Sequence, residues 1–269
     1  ARNLKRIFDG QTFSVAGEAH DEQYLLLFDA LPASIAKDAA KPGRGAPEAM
    51  FGKHLAPVLR QPLGRIIANA ETIGSELQGP IRENYALYAR DIANAARHLS
   101  ALVDDLGDLE AVERPDFKTA KDEIELGDVA RRVSGLLALK AADHSIRVLP
   151  PPEGQKVPAV AEFRRTLQIL LNLVNNAIHY SPDGTNIEIA MENGDGFANL
   201  SVSDQGAGIA SENHEKIFEK FERLGRSGDG GSGLGLYISR RLARAMGGEL
   251  SVSDAAGGGA KFTLRLPNS

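Results

Sequence analysis

Three stretches of this chain hold polar and glycine residues at spacings suited to binding chemistry. In "LNLVNNAIHYSPDG", Asn172, Asn176 and His179 fall at i, i+4 and i+7, one side of a helix whose other side is Leu, Ile and Val. An amide oxygen there can coordinate a hard cation such as Mg2+, which takes few protein ligands while phosphates supply others. A solvated helix face is the plainer alternative. "DQGAGI", Asp204 to Ile209, follows a strand-like run. Its glycines let the backbone approach a flat ligand, and its carboxylate can accept a hydrogen bond from an exocyclic amine, though D-x-G-x-G also describes many turns. "GDGGSGLGLYISRRLARAMGG" runs a glycine-rich loop into a helix, whose free N–H groups and dipole favour phosphate. A glycine linker is the alternative there.

The elements that must position these residues follow from hydrophobic periodicity. It predicts strand 123–127, helix 128–141, strand 145–149, helix 162–180, strands 185–191 and 197–203, a helix near 211–221, helix 234–246, and strands near 249–253 and 260–266. Most of these strands are not separated by helices in βαβ fashion, so the sheet is expected to be largely antiparallel with helices on one face, an α+β sandwich over 119–269.

Upstream, residues 48–114 read as two long helices broken at "QGPI" and closed by "ERPDF". Leu55, Leu59, Leu63, Ile66, Ala70, Ile73 and Leu77 recur at spacings of three and four, as do Tyr85, Tyr88, Ile92, Ala95, Leu99, Leu102, Leu106 and Leu109. Such a hairpin cannot cover its own apolar seams, so it is expected to dimerise into a four-helix bundle. A stalk or interaction coil explains the seams equally well. Residues 1–47 are expected to hold a strand hairpin, "QTFSVAG" with "QYLLLFDAL", then an Ala/Pro/Gly/Lys-rich linker. A lone hairpin is marginal, which suggests the tail of a larger upstream domain.

The 269 residues carry a formal net charge of −5 with both signs mixed, so the basic stripe that nucleic-acid binding needs is missing and nucleic acid is not an expected partner. The chain has no cysteine, which excludes disulfides, thiolate metal sites and a cysteine nucleophile. No apolar run approaches the ~20 residues of a membrane span. No membrane contact is expected within this chain, and a cytoplasmic location fits. The chain opens on Ala1 rather than Met, so tethering by upstream segments stays open.

The three stretches, with "IFEKFER" between the last two, resemble the N, G1, F and G2 boxes of the GHKL ATPase family in their usual order. That resemblance implies the Bergerat ATP-binding fold, with ATP and Mg2+ as ligands. By it, Asn176 matches the Mg2+ ligand and Asn172 its partner near the phosphates. His179 and Tyr180 occupy positions of a basic residue and an aromatic facing the nucleotide. Asp204 matches the adenine-amine acceptor, and Gly206 and Gly208 the G1 glycines. Gly233, Leu234 and Gly235 match the G2 turn, and Phe218 and Phe221 the F box, with a mobile lid over about 210–232. The hairpin directly before such a domain is similar to that of sensor histidine kinases, which implies a homodimer and a response regulator or other two-component protein as partner.

One departure stands out. The family's first helix carries an H box of the form His-Glu-x-x-Thr/Asn-Pro, and "PVLRQP" aligns its proline with Pro62. Pro57 then stands where the phosphoacceptor histidine belongs, Val58 at the acidic position and Gln61 at the Thr/Asn position. Proline has no nucleophilic side chain, so transfer to residue 57 is chemically impossible. His54, three residues earlier, is the alternative acceptor, displaced by about 4.5 Å along a regular helix. His98 reads as a surface or packing residue. Gln61 could orient water in a phosphatase reaction, as glutamines do in GTPases, or be a plain surface residue. The expectation is an ATP-binding signalling scaffold or response-regulator phosphatase whose histidine kinase activity is lost or altered. An active kinase using His54 and an interaction module with a vestigial pocket are the alternatives.

Overall fold

The structure is a computed structural model that describes residues 4–8, 11–15, 51–75, 83–194, 196–224 and 232–269. Strands β1 (Leu4–Phe8) and β2 (Gln11–Val15) pair antiparallel and belong to a unit of their own, residues 1–47. The expected strand in "QTFSVAG" is present, but its partner is the preceding segment; "QYLLLFDAL" lies outside the described residues. Two residues separate β1 and β2, and so short a connection selects the nearest neighbour.

Residues 48–269 form the second unit. Helices α1 (Phe51–Gly74) and α2 (Glu83–Glu113) run antiparallel. Arg60 Nε donates to Asp104 Oδ1 at 2.7 Å, Arg97 pairs with Glu71, and Arg90 reaches the Gly74 carbonyl. α1 runs unbroken through both Pro57 and Pro62. The buried seam between the helices is Ala56, Leu63 and Ala70 against Ala86, Ala89, Ala93 and Ala96, small side chains that let the backbones approach. Tyr85, Tyr88, Ile92, Leu99 and Leu106 of the expected apolar stripe stay roughly half exposed, as do Ile66 and Ile73 of α1, so the hairpin by itself leaves that stripe uncovered. A one-residue offset turns a helix by about 100°, so the alanines take the inner face and the large residues the outer one.

The α+β part is built as expected in outline. A five-stranded sheet has the order β4 (Arg147–Leu149), β6 (Asn186–Gly194), β7 (Phe197–Ser203), β9 (Ala260–Pro267), β8 (Glu249–Asp254). Among the described residues only β4 and β6 pair in parallel. β3 (Asp122–Glu125) pairs with β5 (Pro158–Ala161) beside it. Helices α3 (Leu126–Asp143), α4 (Phe163–Tyr180) and α5 (Gly235–Ala245) pack on the sheet. Alternate residues of the central strands, Ala198, Leu200 and Val202 with Phe262, Leu264 and Leu266, face them and are buried. The apolar stripe of α4, with Ile169, Leu170, Leu173 and Ile178, completes the core. Two expectations fail. "PAVA" at 158–161 is a strand that was not foreseen, because it is short and opens on proline. The helix expected near 211–221 is two separate 3₁₀ turns, 211–213 and 216–218. His214 Nε2 lies 2.9 Å from the Ile209 carbonyl, and Ile217 and Phe218 are driven into the core, so the chain folds back before a second helical turn closes. No helix among the described residues is long and apolar enough to cross a membrane.

Candidate functional site

The polar stripe of α4 and the turn after β7 meet at two adjoining cavities of about 90 and 230 Å3, which share Asn176, Tyr180, Ile217, Glu222, Arg223 and Leu236. α4 forms because apolar residues recur along one face; the face left over carries Asn172 and Asn176, both half-buried. The two asparagines differ in role. Asn172 is committed to the fold: its Nδ2 donates to Ser239 Oγ at 3.0 Å, and its side chain packs so closely on Gly235 that a Cβ there would lie 2.5 Å from Oδ1. Asn176 lines both cavities and makes no hydrogen bond to the described residues.

At the end of β7, Asp204 is buried, 7% exposed. Its Oδ1 accepts from Gly206 N–H at 2.9 Å and Ala260 N–H at 3.1 Å, while Oδ2 has no hydrogen bond to the described residues and the side chain lines the smaller cavity. The rest of that cavity wall is largely apolar: Ile209, Ile217, Leu224, Leu236 and Phe262. One fixed acceptor in an apolar slot is what a flat heterocycle with an amine requires. Gly206 is needed because a Cβ would lie 2.6 Å from the Tyr180 carbonyl, and Gly208 adopts φ +70°.

The glycine turn before α5 closes the larger cavity with Gly233 and Gly235. Gly233 has φ +71° and lies against the Phe221 backbone, whose N–H donates to the Gly233 carbonyl at 3.0 Å.

The family model described as histidine kinase-, DNA gyrase B- and HSP90-like ATPase matches residues 162–269. Histidine protein kinase DivJ of Caulobacter vibrioides is 30% identical over 240 residues, 87% of this chain and 39% of that protein. Circadian input-output histidine kinase CikA of Synechococcus elongatus is 30% identical over 250 residues, 90% of this chain and 32% of its own. The chain belongs to the sensor histidine kinase family. Full-length ShkA in complex with AMPPNP has the same fold with a TM-score of 0.65 and 26% identity, matched over 80% of this chain and 45% of ShkA. The chain therefore spans less than half the length of these relatives.

Within this histidine kinase fold the structure redistributes several expected site residues. Tyr180 lines both cavities, but His179 is exposed, stacks edge-on against Tyr180 and lines neither. It is the last-turn residue of α4, where the stripe has rotated away from the cleft. Leu234 is buried as an anchor rather than placed on a wall, and Phe218 is buried under the Arg240 guanidinium, 4.6 Å from its ring centroid. Phe221 is exposed at φ +62°. Part of the expected lid, 225–231, lies outside the described residues. Val58 and Gln61 sit exposed on α1 and line neither cavity.

Other residues at the site were not singled out in the sequence, although Glu222 and Arg223 end the "IFEKFER" stretch. Arg223 lines both cavities with its Nη2 buried and without a hydrogen-bond partner among the described residues. Next to it, the Leu224 N–H at 2.6 Å and then the Arg223 N–H hold the Glu222 carboxyl below its ordinary range. One wall of the larger cavity comes from the hairpin: His98, Ala101, Leu102 and Asp105 of α2. Ser232 Oγ donates to Asp105, which binds the glycine turn to that helix, while burial, then the opposing Ser232 bond, leave the Asp105 carboxyl above its ordinary range. Glu113 adds bonds to Tyr237 and Lys220, and Asp108 accepts from Gln168 Nε2 at 2.7 Å.

Gly259 is the least expected member. It has φ +91°, and a Cβ there would lie 2.1 Å from the Asp204 carbonyl oxygen. Gly259→Ala is expected to cost roughly 1–3 kcal/mol from backbone strain alone and to displace Asp204, lowering the thermal midpoint and weakening adenine-nucleotide binding together. An unchanged midpoint in a thermal melt would contradict this.

Proposed function

We propose that this chain is a two-component signalling protein that binds Mg2+·ATP and transfers no phosphoryl group to residue 57. The observation that carries the reading is Asp204, whose Oδ1 is held by two backbone N–H groups while Oδ2 faces an apolar slot able to take adenine. The unpartnered Arg223 Nη2 and the Gly233–Gly235 turn suit the phosphates further along the cleft. Asn176 fits Mg2+ because its side chain lines both cavities with no hydrogen bond to the described residues, whereas Asn172 donates its Nδ2 to Ser239 and lies against Gly235. Mg2+ bound there would neutralise phosphate charge. Titration calorimetry should show Mg2+·ATP binding in the micromolar range that weakens about tenfold in Asn176→Ala, the loss of about one polar contact. No heat from the intact chain would remove the reading.

Phosphoryl transfer requires an attacking atom in line with the γ-phosphate, and Pro57 has none. The hairpin is then a docking surface for a response regulator, with the exposed Gln61 placed to orient water toward that partner's phosphoryl group. The setting is the cytoplasm, where ATP and response regulators are found. The large apolar residues left outside the alanine seam support a homodimer, since Ile66, Ile73, Tyr88, Ile92, Leu99 and Leu106 otherwise face water. An Ile92→Asp, Leu99→Asp variant should raise the dimer dissociation constant by about four orders of magnitude, roughly 1.5 kcal/mol for each of the burials lost on the two protomers. Sedimentation equilibrium checks this, and a wild-type monomer would refute the dimer.

A further inference from the structure

We propose that His98 accepts the γ-phosphoryl group of ATP within the same chain, an activity that rests on the ATP-binding reading above. His98, Ala101, Leu102 and Asp105 are spaced i, i+3, i+4 and i+7 on α2, one helix face, and together they form a wall of the larger cavity. Asn172, Asn176, Ser232, Gly233 and Gly235 line the same space, so the imidazole shares a cavity with the glycine turn and the Mg2+-suited amide. Other described histidines are occupied or placed elsewhere: His144 pairs with Asp183 at 3.4 Å, His214 bonds the Ile209 carbonyl, and His179 stacks on Tyr180. His98 makes no hydrogen bond or ion pair to the described residues, so both its ring nitrogens are open. The bond from Ser232 to Asp105, two helical turns on, holds the glycine turn against this face.

In the step, a lone pair on a neutral imidazole nitrogen forms the N–P bond. The bond from the γ-phosphorus to the β,γ-bridging oxygen breaks, ADP leaves with that electron pair, and the proton on the other ring nitrogen passes to water. The product is phosphohistidine, acid-labile and alkali-stable. Because wall and cavity belong to one chain, the reaction is first order in protein.

The test incubates the full chain with γ-labelled ATP and maps the label by peptide mass spectrometry, with calorimetry of Mg2+·ATP in parallel. Label is expected on His98, absent in His98→Ala at ATP concentrations that calorimetry shows to saturate that variant, and unchanged in His144→Ala. At an ATP concentration that fills the wild-type site but too low to label Asp204→Asn alone, a mixture of His98→Ala with Asp204→Asn chains should stay unlabelled. ATP binding with no label, label on His54, or label restored by that mixture overturns the proposal alone. No ATP binding by the wild type overturns the ATP reading and this proposal with it.

Discussion

Asp204→Asn is expected to lose ATP affinity by about 30- to 100-fold while the protein keeps its fold. Asparagine is nearly isosteric with aspartate, and its carbonyl oxygen can still accept the N–H groups of Gly206 and Ala260, which the Asp204 Oδ1 accepts at 2.9 and 3.1 Å. The local backbone therefore has no reason to move. The other position changes from an acceptor to an NH2 donor, so an adenine amine would face a second donor in a slot closed by Ile209, Leu236 and Phe262. Losing a charge-assisted hydrogen bond and leaving two donors opposed costs about 2–3 kcal/mol. The same inversion has a positive side: a 6-oxo purine presents an acceptor there. The ratio of affinities for ATP over inosine triphosphate should fall in the variant by more than either affinity changes alone. Calorimetry with both nucleotides, beside a thermal melt, checks the pair. An unaltered ratio would mean that Asp204 does not read the base.

The Pro57→His, Val58→Glu variant should gain both stability and an acid-labile label at residue 57. Residue 57 lies in the interior of α1, which begins at Phe51, so its missing N–H removes an intrahelical hydrogen bond. Relieving an interior proline is worth about 2–3 kcal/mol, and the thermal midpoint should rise. The introduced imidazole supplies the nucleophile and the carboxylate a base at the two positions where the H-box pattern needs them. Wild type, without a nucleophile at 57, must give no label on that peptide. A stabilised variant that binds ATP but stays unlabelled at 57 would show that its hairpin no longer presents this position to the ATP domain.

The parts of the site that were legible in the sequence are those whose logic is local. Asp204, Gly206 and Gly208 lie within five residues, and the Asn172/Asn176 stripe within two helical turns, so spacing alone groups them. Gly233 and Gly235 declare themselves by running straight into α5. Three features escaped for a common reason. "AAGGGAKF" reads as a plain hairpin turn, and Gly259 acquires its role only because β9 pairs with β7 and brings the start of β9 under Asp204. His179 fits the family's spacing, yet the last turn of α4 carries it out of the cleft. Periodicity in α2 located the large apolar stripe but not the alanine row beside it, which is buried only because α1 packs there.

Residue chemistry and local periodicity determined the order of elements, the ATP-site motifs and the absence of a nucleophile at Pro57, because those depend on side-chain type and on contacts within a few positions. Only the tertiary structure decided that the alanines and not the large residues close the hairpin, that Asn172 donates to Ser239 while Asn176 makes no hydrogen bond to the described residues, and that His98 lines the cavity. Each of these depends on which surface a distant segment covers, and burial of that kind is a property of the packed chain that no window along the sequence contains.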